Sequence, residues 1–523
     1  MGFPGAPIPP GLGGARARLA ASRSRRLERS LGGADGGLTI TPAAAKLPTM
    51  RFFVAAILGC SACAAPSSRP DAGPGEPVPG DAGGGSAWPD DSGAPVGSTL
   101  CVSGFFSWGA DDGGTRAFEI GKLGPFHEVR MDFTWARIER TPGVYDFSEL
   151  DPAVLALQGS GERVLGILDY DNSLYDAPDG GPSGFAGDGY AVTNVPAYAA
   201  FAAAAAAHFG PSVDYELWNE PNNAFSFWKA PPGRASFPDP AAYAALVASA
   251  APAVHAACPR CRVLAGSIDY QGQELGAPFL AGMLAAAPRV YDLFDALSYH
   301  AYPDYPPSVP PDFSGQSGYS TPGQPEVPLV EMVARLRAEI QSSGGPTSFP
   351  VALTEVGWTT ALLPDGSRVV TREEQASYDV RAMLLSFSTG GLVSCLYTLQ
   401  DGANPADTEA NFGVYAVDWS PKPAFTALVA METALGDAAF ERDRGTELGL
   451  VAGEHALSFL AADRRVTALY SDAPPRTVMV PAHAAVRRTQ IVSLAGAVEE
   501  VTPQDGGSPV TLGPDPRFLV ELR

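Results

Sequence analysis

The 523-residue sequence predicts an α/β protein, a closed (β/α)8 TIM barrel followed by a small C-terminal β-sandwich domain. Three observations support this fold class. Eight short β-branched or aromatic runs alternate with longer Ala/Leu-rich segments of helical period between residues 99 and 436. The segments after these strands are long and rich in Gly, Pro and aromatic residues, whereas those returning to the next strand are short. Helical periodicity ends near residue 437, where short alternating runs begin.

Local signals locate the individual elements. Predicted strands lie at 99–107, 127–134, 163–170, 213–219, 262–269, 295–300, 350–356 and 393–399. The clearest predicted helices lie at 195–209, 239–257, 328–342, 371–388 and 422–435. Several begin with Pro, or with Asp or Thr before an acidic first turn, as helices commonly do. The C-terminal segment has hairpin-like spacing in its runs LGLVAG, ALSFLAA, RVTALYSD, RTVMVPA, TQIVSLAG, VTLGPD and RFLVEL. We therefore predict two folded domains, at 99–436 and 437–523.

The N-terminal 98 residues have the sequence features of an exported protein and are not predicted to form a folded domain. Residues 1–49 are rich in Gly, Ala and Ser with clustered Arg, which predicts a disordered extension or an over-extended start. Residues 50–63 contain a basic residue, the apolar run FFVAAILGC and small residues, which is typical of a secretory signal with a lipobox-like end at Cys60. Residues 64–98, rich in Pro, Gly, Ser and Asp, predict a flexible tether. We expect an exported, outer-membrane-anchored lipoprotein, periplasmic or extracellular.

Charge and motif content exclude several function classes. The 35 basic and 57 acidic residues give a formal net charge of −22, and the main body carries no basic stripe with interleaved aromatic residues, so nucleic acid is not an expected partner. The sequence has no Gly-x-Ser-x-Gly elbow, no Walker-type phosphate loop and no His-Glu-x-x-His helix. We expect no cofactor and no metal, and a monomer.

The cysteines of the predicted barrel suggest one disulfide. The CPRC pair, Cys258 and Cys261, has no second Cys or His pair at zinc-finger spacing, so a local disulfide is expected in an oxidising compartment. For Cys101 and Cys395 we expect two buried free thiols.

Two glutamates follow predicted strands of the same barrel. Glu220, in VDYELWNEPNN, ends strand 4, and Glu355, in VALTEVGWTT, ends strand 7. Barrel enzymes place their active sites at the C-terminal ends of the strands, so the two carboxyl groups can face each other there. Glycoside hydrolysis requires such a pair, because one carboxyl group protonates the leaving oxygen while the other attacks or activates water. A single Glu at a strand end would more simply be a solvated rim residue.

The motifs around these glutamates resemble a known group of enzymes. WNEPN, TEVGW and SYHAYP, together with VRMDFTWARIERTPGVYDFSELD at 129–151, are similar to retaining glycoside hydrolases of the (β/α)8 clan A. Within the clan, family 39, of β-xylosidase and iduronidase type, is most similar, and the cellulase-like family 5 is second. The resemblance covers residues 99–436. It implies an enzyme that cleaves O-glycosidic bonds of an oligo- or polysaccharide by double displacement with two Glu.

The resemblance also implies residue roles. Glu220 corresponds to the acid/base and Glu355 to the nucleophile. Arg130 and Tyr302 match residues near the nucleophile, where a positive charge and a hydrogen-bond donor would keep Glu355 ionised, although Arg130 could instead tie strands together. Asn219 matches an Asn that binds the sugar hydroxyl next to the reacting carbon. The strand-6 residue His300 either contacts the ligand or makes a structural hydrogen bond.

Aromatic residues complete the predicted substrate site. The clan commonly has a Trp on strand 8, where this chain has SCLYTLQDG, so we expect Tyr397 to provide the platform. The DYDN segment at 169–172 lacks the Gly and terminal Glu of a calcium loop, which favours a subsite lining that includes Tyr170. Six of the seven Trp lie at or just beyond predicted strand ends: Trp108, Trp135, Trp218, Trp228, Trp358 and Trp419. Each could pack in the core, but flat rings around one mouth suit stacking on sugars, and we include Trp135 and Trp358 among the substrate contacts.

The expected partner is therefore a carbohydrate, with a membrane contact only through a lipid at Cys60. Two other functions fit the same residues. One is a glycan-binding protein whose catalysis has decayed, although both Glu are kept. The other is a transglycosylase, which would pass the glycosyl intermediate to another sugar.

Overall fold

The structure is a computed structural model that describes residues 98–104, 115–175, 192–222, 239–269, 276–302, 329–482, 486–504 and 506–523. The predicted extension, the signal with Cys60 and all but the last residue of the tether lie outside the described residues. Trp108 and Trp228 also lie outside them.

Eight parallel strands of the described chain close a barrel in sequential order, with β1 paired to both β2 and β8. They are β1 (Thr99–Ser103), β2 (Glu128–Thr134), β3 (Arg163–Asp169), β4 (Val213–Leu217), β5 (Val263–Asp269), β6 (Ala296–His300), β7 (Val351–Glu355) and β8 (Gly391–Tyr397). Each overlaps a predicted strand, and the predicted barrel is confirmed.

A helix follows each strand in the described residues. These helices are α1 (Thr115–Ile120), α2 (Asp151–Ser160), α3 (Val195–Phe209), α4 (Pro240–Ala257), α5 (Gly276–Ala286), α6 (Leu329–Ser342), α7 (Arg372–Ser388) and α8 (Pro423–Leu435). Their starts show the expected caps, since Asn194 and Asp239 accept backbone N–H groups of α3 and α4. Thr371 and Glu374 form a reciprocal capping box on α7.

Helix α4 is long and apolar enough, by length and composition alone, to cross a membrane, a test that a buried core helix also passes. Its contacts are those of a barrel helix. The hydroxyl of Tyr243 donates to the carbonyl of Leu217 at 2.7 Å and accepts from the Gly266 N–H at 2.8 Å, which joins α4 to β4 and β5.

The barrel interior is filled by side chains that alternate along the strands. On β2, Val129, Met131 and Phe133 belong to the apolar core shared with the helices, while the residues between them point inward. A small apolar cluster inside the barrel consists of Cys101, Leu165, Leu264, Ala296, Ala352, Val393 and Cys395. The interior is therefore packed rather than open, as in other barrels of this size.

Two disulfides are present among the described residues. Cys258 and Cys261 form the predicted local bridge just after α4. Cys101 and Cys395, expected to be free thiols, instead form a second disulfide, because they lie directly opposite each other where β1 pairs with β8. That pairing closes the barrel between residues 294 positions apart, so no local pattern could have indicated it.

The C-terminal domain contains a six-stranded antiparallel sheet and a two-stranded antiparallel sheet. Its strands are β9 (Ala439–Asp443), β10 (Glu454–Leu460), β11 (Arg464–Ser471), β12 (Thr477–Val480), β13 (Arg488–Val492), β14 (Val498–Glu500), β15 (Ser508–Thr511) and β16 (Arg517–Leu522). The large sheet has the order β9-β10-β11-β16-β13-β14, and β12 pairs with β15. The LGLVAG run was expected to be a strand, but it forms turns in which Gly449 and Gly453 have φ of 60° and 81°.

Both faces of the large sheet are covered. One face contributes Ala456, Leu469, Ile491 and Leu519 to a core shared with the two-stranded sheet. The opposite face contributes Leu457, Phe459, Ala468, Tyr470, Phe518 and Val520 to the core of the barrel domain. This alternation is the strand period of two, and it produces the predicted β-sandwich packed against the barrel.

Glu128 is a buried acid at the start of β2, away from the strand ends that carry the predicted site. It is fully buried, and its oxygens have no hydrogen-bond donor among the described residues. Nη2 of Arg262 lies 3.7 Å from it. Burial and the charge of Asp214 raise the pKa of Glu128 to about 7, against the opposing charges of Arg262 and Arg163.

We expect Glu128→Gln to stabilise the protein above neutral pH. Because the pKa is raised in the folded state, ionisation of Glu128 reduces the free energy of unfolding progressively as pH rises from the ordinary value towards 7. The variant should gain about 1–3 kcal/mol at pH 8 and little at pH 4 in urea unfolding. Glu499→Gln, at an exposed acid, serves as control. An equal gain at both pH values would contradict the prediction.

Candidate active site

The C-terminal end of the barrel brings the two predicted acids together. One carboxylate oxygen of Glu220, one of Glu355 and a ring nitrogen of His300 all lie within 4.8 Å of one another. Glu355 is the last residue of β7, and Glu220 lies in the turn after β4. Their side chains are 11% and 10% exposed, so both are largely shielded from water.

The Trp-Asn-Glu-Pro turn has an unusual backbone that explains how Glu220 is aimed. Trp218 and Glu220 both have positive φ, of 73° and 46°, a conformation that side chains other than Gly rarely adopt. Trp218 is fully buried, with its ring edge-on to Tyr170 at 5.4 Å. Two left-handed residues at a strand end cost of order 1–3 kcal/mol each, which the burial of Trp218 offsets.

Arg130, on β2, is the central contact of the site. Its Nε donates to Glu216 at 2.6 Å, its Nη1 to Glu355 at 2.6 Å and its Nη2 to Asn219 at 2.8 Å. Glu216 also accepts from the Thr354 hydroxyl at 2.9 Å. The guanidinium thus both ties strands together and contacts the predicted nucleophile, so the two roles considered for Arg130 coexist.

Glu216 is a positioning residue that the sequence reasoning missed. It is fully buried on β4, where it points inward between Tyr215 and Leu217. The available signal was the alternation of two acids, Asp214 and Glu216, with apolar residues on a barrel strand, where a buried acid requires a cation as partner.

The surroundings of Glu355 favour its ionised form. Tyr302 donates a hydrogen bond to Oε2, and Arg130 donates to Oε1. Burial raises the pKa of Glu355, but the charges of His300 and Arg130 and the hydrogen bonds from Tyr302 and Arg130 outweigh it and hold the pKa below its ordinary value. A carboxylate at this position is therefore available as a nucleophile at neutral pH.

His300 links the two acids to β5. Its Nδ1 lies 2.8 Å from Glu220, and its Nε2 lies 3.0 Å from the hydroxyl of Ser267. Burial lowers the pKa of His300, but the charge of Glu355 and the contact with Glu220 raise it above its ordinary value. The ring can therefore hold a proton beside Glu220. Ser267, a further residue that sequence reasoning missed, also donates to Asn219 at 3.3 Å.

Three aromatic rings stand beside the nucleophile. Tyr302 lies edge-on to Tyr397 at 6.4 Å and to Phe412 at 5.9 Å, and Tyr397 and Phe412 are 5.5 Å apart. All three are partly exposed. Tyr397 ends β8, where the sequence placed it, whereas Phe412 comes from the following loop and had not been identified from the sequence.

Two predicted aromatic platforms prove to be core residues. Trp135 is fully buried, stacked on Phe201 at 5.7 Å and Tyr175 at 5.4 Å, and its Nε1 donates to Glu139 at 2.6 Å. Trp358 is 4% exposed. Rings buried in this way cannot stack on a sugar, so the prediction that Trp135 and Trp358 contact the substrate is wrong. The prediction failed because a position at a strand end does not distinguish a ring that faces the mouth of the barrel from one that faces the helices.

Tyr170 and Trp419 are the remaining aromatic candidates among the described residues. Tyr170 is only 6% exposed, and its ring lies edge-on to Trp218 at 5.4 Å. Burial and the charges of Asp169, Asp132, Glu220 and Glu355 raise the pKa of its hydroxyl well above the ordinary value. Trp419 packs edge-on to Phe118 at 5.3 Å.

Only one group of described residues could offer three ligands to a metal ion, and it is Glu220, His300 and Glu355. A cation there would face the guanidinium of Arg130, which is already 2.6 Å from Glu355. Coulomb repulsion at such distances disfavours a second positive charge.

We expect substitutions of Arg130 and Glu216 to have strongly non-additive effects on the free energy of unfolding. Arg130→Met should lower the free energy of unfolding by about 3–5 kcal/mol, because Glu216 is left as an uncompensated buried charge. Adding Glu216→Gln should recover much of that loss, which urea unfolding of the double-mutant cycle would measure. Arg137→Met, at a partly exposed ion pair, is the control. Additive effects of the two substitutions would disprove the coupling.

Comparisons with known proteins show similarity at the level of structure. No protein-family profile and no curated protein sequence matches the chain. A family 39 glycoside hydrolase from Bacteroides cellulosilyticus WH2 is 21% identical with a TM-score of 0.60, covering 82% of this chain and 81% of that one. A family 39 β-xylosidase from Caulobacter crescentus is 18% identical with a TM-score of 0.55, covering 83% and 98%. A family 30 endoxylanase from Clostridium papyrosolvens C71 is 13% identical with a TM-score of 0.53, covering 83% and 98%. The chain therefore shares the barrel fold of glycoside hydrolases of families 39 and 30.

Proposed function

We propose that the protein is a retaining glycoside hydrolase with Glu355 as nucleophile and Glu220 as acid/base. The supporting observation is the short separation of the two acids, since one carboxylate oxygen of Glu220 lies within 4.8 Å of one of Glu355. Retaining enzymes hold their carboxyl groups about 5–5.5 Å apart, whereas inverting enzymes need about 6.5–9.5 Å to admit a water molecule.

In the first step, Glu220 gives its proton to the glycosidic oxygen as the bond from that oxygen to the anomeric carbon breaks. An oxygen of Glu355 forms a bond to the same carbon, which produces a glycosyl ester and releases the leaving alcohol. The ring of His300, whose Nδ1 lies 2.8 Å from Glu220, orients the carboxyl group that gives the proton. Arg130 and Tyr302 keep Glu355 ionised and oriented for attack.

In the second step, Glu220 removes a proton from water while the water oxygen attacks the anomeric carbon. The ester bond breaks, Glu355 returns as a carboxylate and Glu220 is again protonated, so the catalyst is restored with the starting anomeric configuration. Asn219, whose Oδ1 is held by Arg130 and Ser267, presents its Nδ2 donors to a sugar hydroxyl as positive charge develops on the ring.

The substrate class follows as part of the proposal. The similar structures include a β-xylosidase and an endoxylanase, which supports an oligo- or polysaccharide substrate with an O-glycosidic bond. The partly exposed rings of Tyr302, Tyr397 and Phe412 offer a surface for a sugar ring beside Glu355.

We further propose that the enzyme is an exported lipoprotein anchored at Cys60. The apolar run before Cys60 and the Pro/Gly-rich segment after it support this localisation. Two disulfides in the barrel domain also favour an oxidising compartment.

Substitution of the two acids should separate their roles. Glu355→Gln should abolish turnover of all glycosides, by about 10⁴-fold or more, because no glycosyl ester can form. Glu220→Ala should retain much more activity on dinitrophenyl glycosides than on alkyl glycosides, since a good leaving group needs no proton, and azide should restore turnover. Product configuration by NMR completes the test, with Glu499→Gln as control. Inversion of the anomeric centre, or equal activity of Glu355→Gln and the native protein, would refute the mechanism.

Tyr302→Phe should move the acid limb of the pH profile. Loss of a donor to Glu355 raises the pKa of that carboxyl group, so the nucleophile becomes protonated, and kcat/KM falls, at higher pH than in the native enzyme. At neutral pH we expect about a tenfold loss. The measurement is kcat/KM between pH 3 and 8, and an unshifted acid limb would show that Tyr302 does not act through Glu355.

A further inference from the structure

The loop after β8 brings an aromatic ring to the side of the proposed nucleophile. Phe412 lies in this loop, and its partly exposed ring is edge-on to Tyr302 at 5.9 Å and to Tyr397 at 5.5 Å. Tyr302 donates a hydrogen bond to Glu355, so one side chain connects the ring of Phe412 to the reacting carboxylate. Phe412 belongs to neither a helix nor a strand, so its position depends on the contacts that hold the loop.

Buried polar side chains hold the backbone that follows Phe412. The N–H of Gly413 donates to Oδ1 of Asp401 at 2.8 Å. The ammonium group of Lys422, itself buried, donates to the same oxygen at 3.2 Å and to the hydroxyl of Thr360 at 2.9 Å. Thr360 lies in the loop after β7, so these contacts bind the loop after β8 to the loop that follows the nucleophile.

The two loops also approach each other closely at Gly357, two residues after Glu355. A Cβ atom at this position would lie 2.3 Å from the carbonyl oxygen of Tyr397 and 3.1 Å from the ring of Phe412. Glycine, which has no Cβ, therefore allows the chain after the nucleophile to pack directly against this ring.

Gln375, on α7, joins the same two loops. It is fully buried, and its Nε2 donates to the carbonyl oxygens of Trp358 and Phe412, each at 3.0 Å, with that of Gly413 at 3.4 Å. Its Oε1 has no hydrogen-bond partner among the described residues, so the side chain acts here only as a donor. Trp358 belongs to the loop after β7, whereas Phe412 and Gly413 belong to the loop after β8. One side chain therefore fixes the two loops relative to each other.

Resting on the proposed glycosidase function, we propose that Phe412 contacts the sugar bound beside Glu355 and that Gln375 is the positioning residue that holds this ring in place. A partly exposed phenyl ring offers an apolar surface to the C–H groups of a sugar and makes no hydrogen bond with it. Such a contact is similar in the ground state and in the transition state, so it acts on KM more than on kcat.

Gln375 should act on Phe412 and not on the nucleophile. Glu355 ends a strand of the closed barrel and receives hydrogen bonds from Arg130 and Tyr302, which do not involve Gln375. The backbone at Phe412, in contrast, lies outside any helix or strand and depends on side-chain contacts. Loss of the donors of Gln375 should therefore displace the ring while the carboxylate stays in position.

Substitution of Phe412 tests the sugar contact. Phe412→Ala should raise KM about tenfold and change kcat little, because the contact that is lost is the same before and during the reaction. The substrate is the aryl glycoside that the native enzyme cleaves fastest in a panel that includes 4-nitrophenyl β-xyloside and 4-nitrophenyl β-glucoside.

Gln375→Met tests the positioning role, because methionine has a similar length and no donor. It should raise KM about 3- to 10-fold, as expected for the loss of hydrogen bonds that hold the loop. In the double variant with Phe412→Ala it should raise KM by no more than a further factor of about two, since both substitutions act through one ring.

Ser377→Ala is the matched control on the same helix. Its buried hydroxyl donates to the carbonyl of Pro514 in the C-terminal domain at 2.7 Å. This variant should keep the native KM. Hydrogen exchange of the Gly413 amide should become faster in Gln375→Met and remain unchanged in the control. Urea unfolding reports the folding of each variant, and Gln375→Asn, which keeps the donors on a shorter side chain, replaces Gln375→Met if that variant does not fold.

The outcomes distinguish this inference from the proposed function. An unchanged KM in Phe412→Ala would refute the sugar contact. Effects of Gln375→Met and Phe412→Ala that multiply in the double variant, or a loss confined to kcat, would refute the positioning role. Each of these results leaves the glycosidase assignment intact. Native protein that cleaves no glycoside of the panel would overturn the proposed function. Calorimetric binding of xylobiose to the native protein and to Phe412→Ala then tests the contact, and equal or absent binding would refute it.

Discussion

The buried guanidinium of Arg130 is the interaction on which the site depends. It is 3% exposed and contacts Glu216, Glu355 and Asn219, which come from β4, β7 and the turn after β4. A guanidinium has a rigid planar fork of donors, so three acceptors become fixed together, which a lysine ammonium would not achieve. A buried cation also requires counter-charges. The acids that satisfy this requirement include the proposed nucleophile. The contact that balances the charge of Arg130 therefore also orients Glu355.

The two ends of the barrel show how neighbours decide the charge of a buried glutamate. At the start of β2, burial dominates around Glu128 and raises its pKa to about 7, towards the neutral form. At the end of β7, the charges of His300 and Arg130 overcome the same burial and keep the pKa of Glu355 low. The proposed active site lies at the end where the charged form is stabilised, and the turn after β4, with its left-handed residues Trp218 and Glu220, carries the second acid there.

Much of the fold and part of the site could be predicted because their signals are local. Strands and helices follow from hydrophobic period and from caps such as Asp239 before α4, which depend on residues a few positions apart. Glu220 and Glu355 could be predicted because short motifs place each at the end of a barrel strand. The residues around these acids could not be predicted in the same way, because Glu216, Ser267 and Phe412 belong to no recognisable motif. Their contacts depend on how neighbouring strands and loops come together.

The sequence by itself determined the order of strands and helices, the sandwich after the barrel and the two acids at strand ends, since each rests on spacing within one segment. Tertiary structure alone decided the Cys101–Cys395 bond, the contacts of Arg130 with Glu216, Glu355 and Asn219, and the burial of Trp135 and Trp358. These features join different strands, or depend on which side of a strand end faces the mouth. Closure and register of the barrel set those relations, because only they bring inward-facing side chains from distant segments within contact distance.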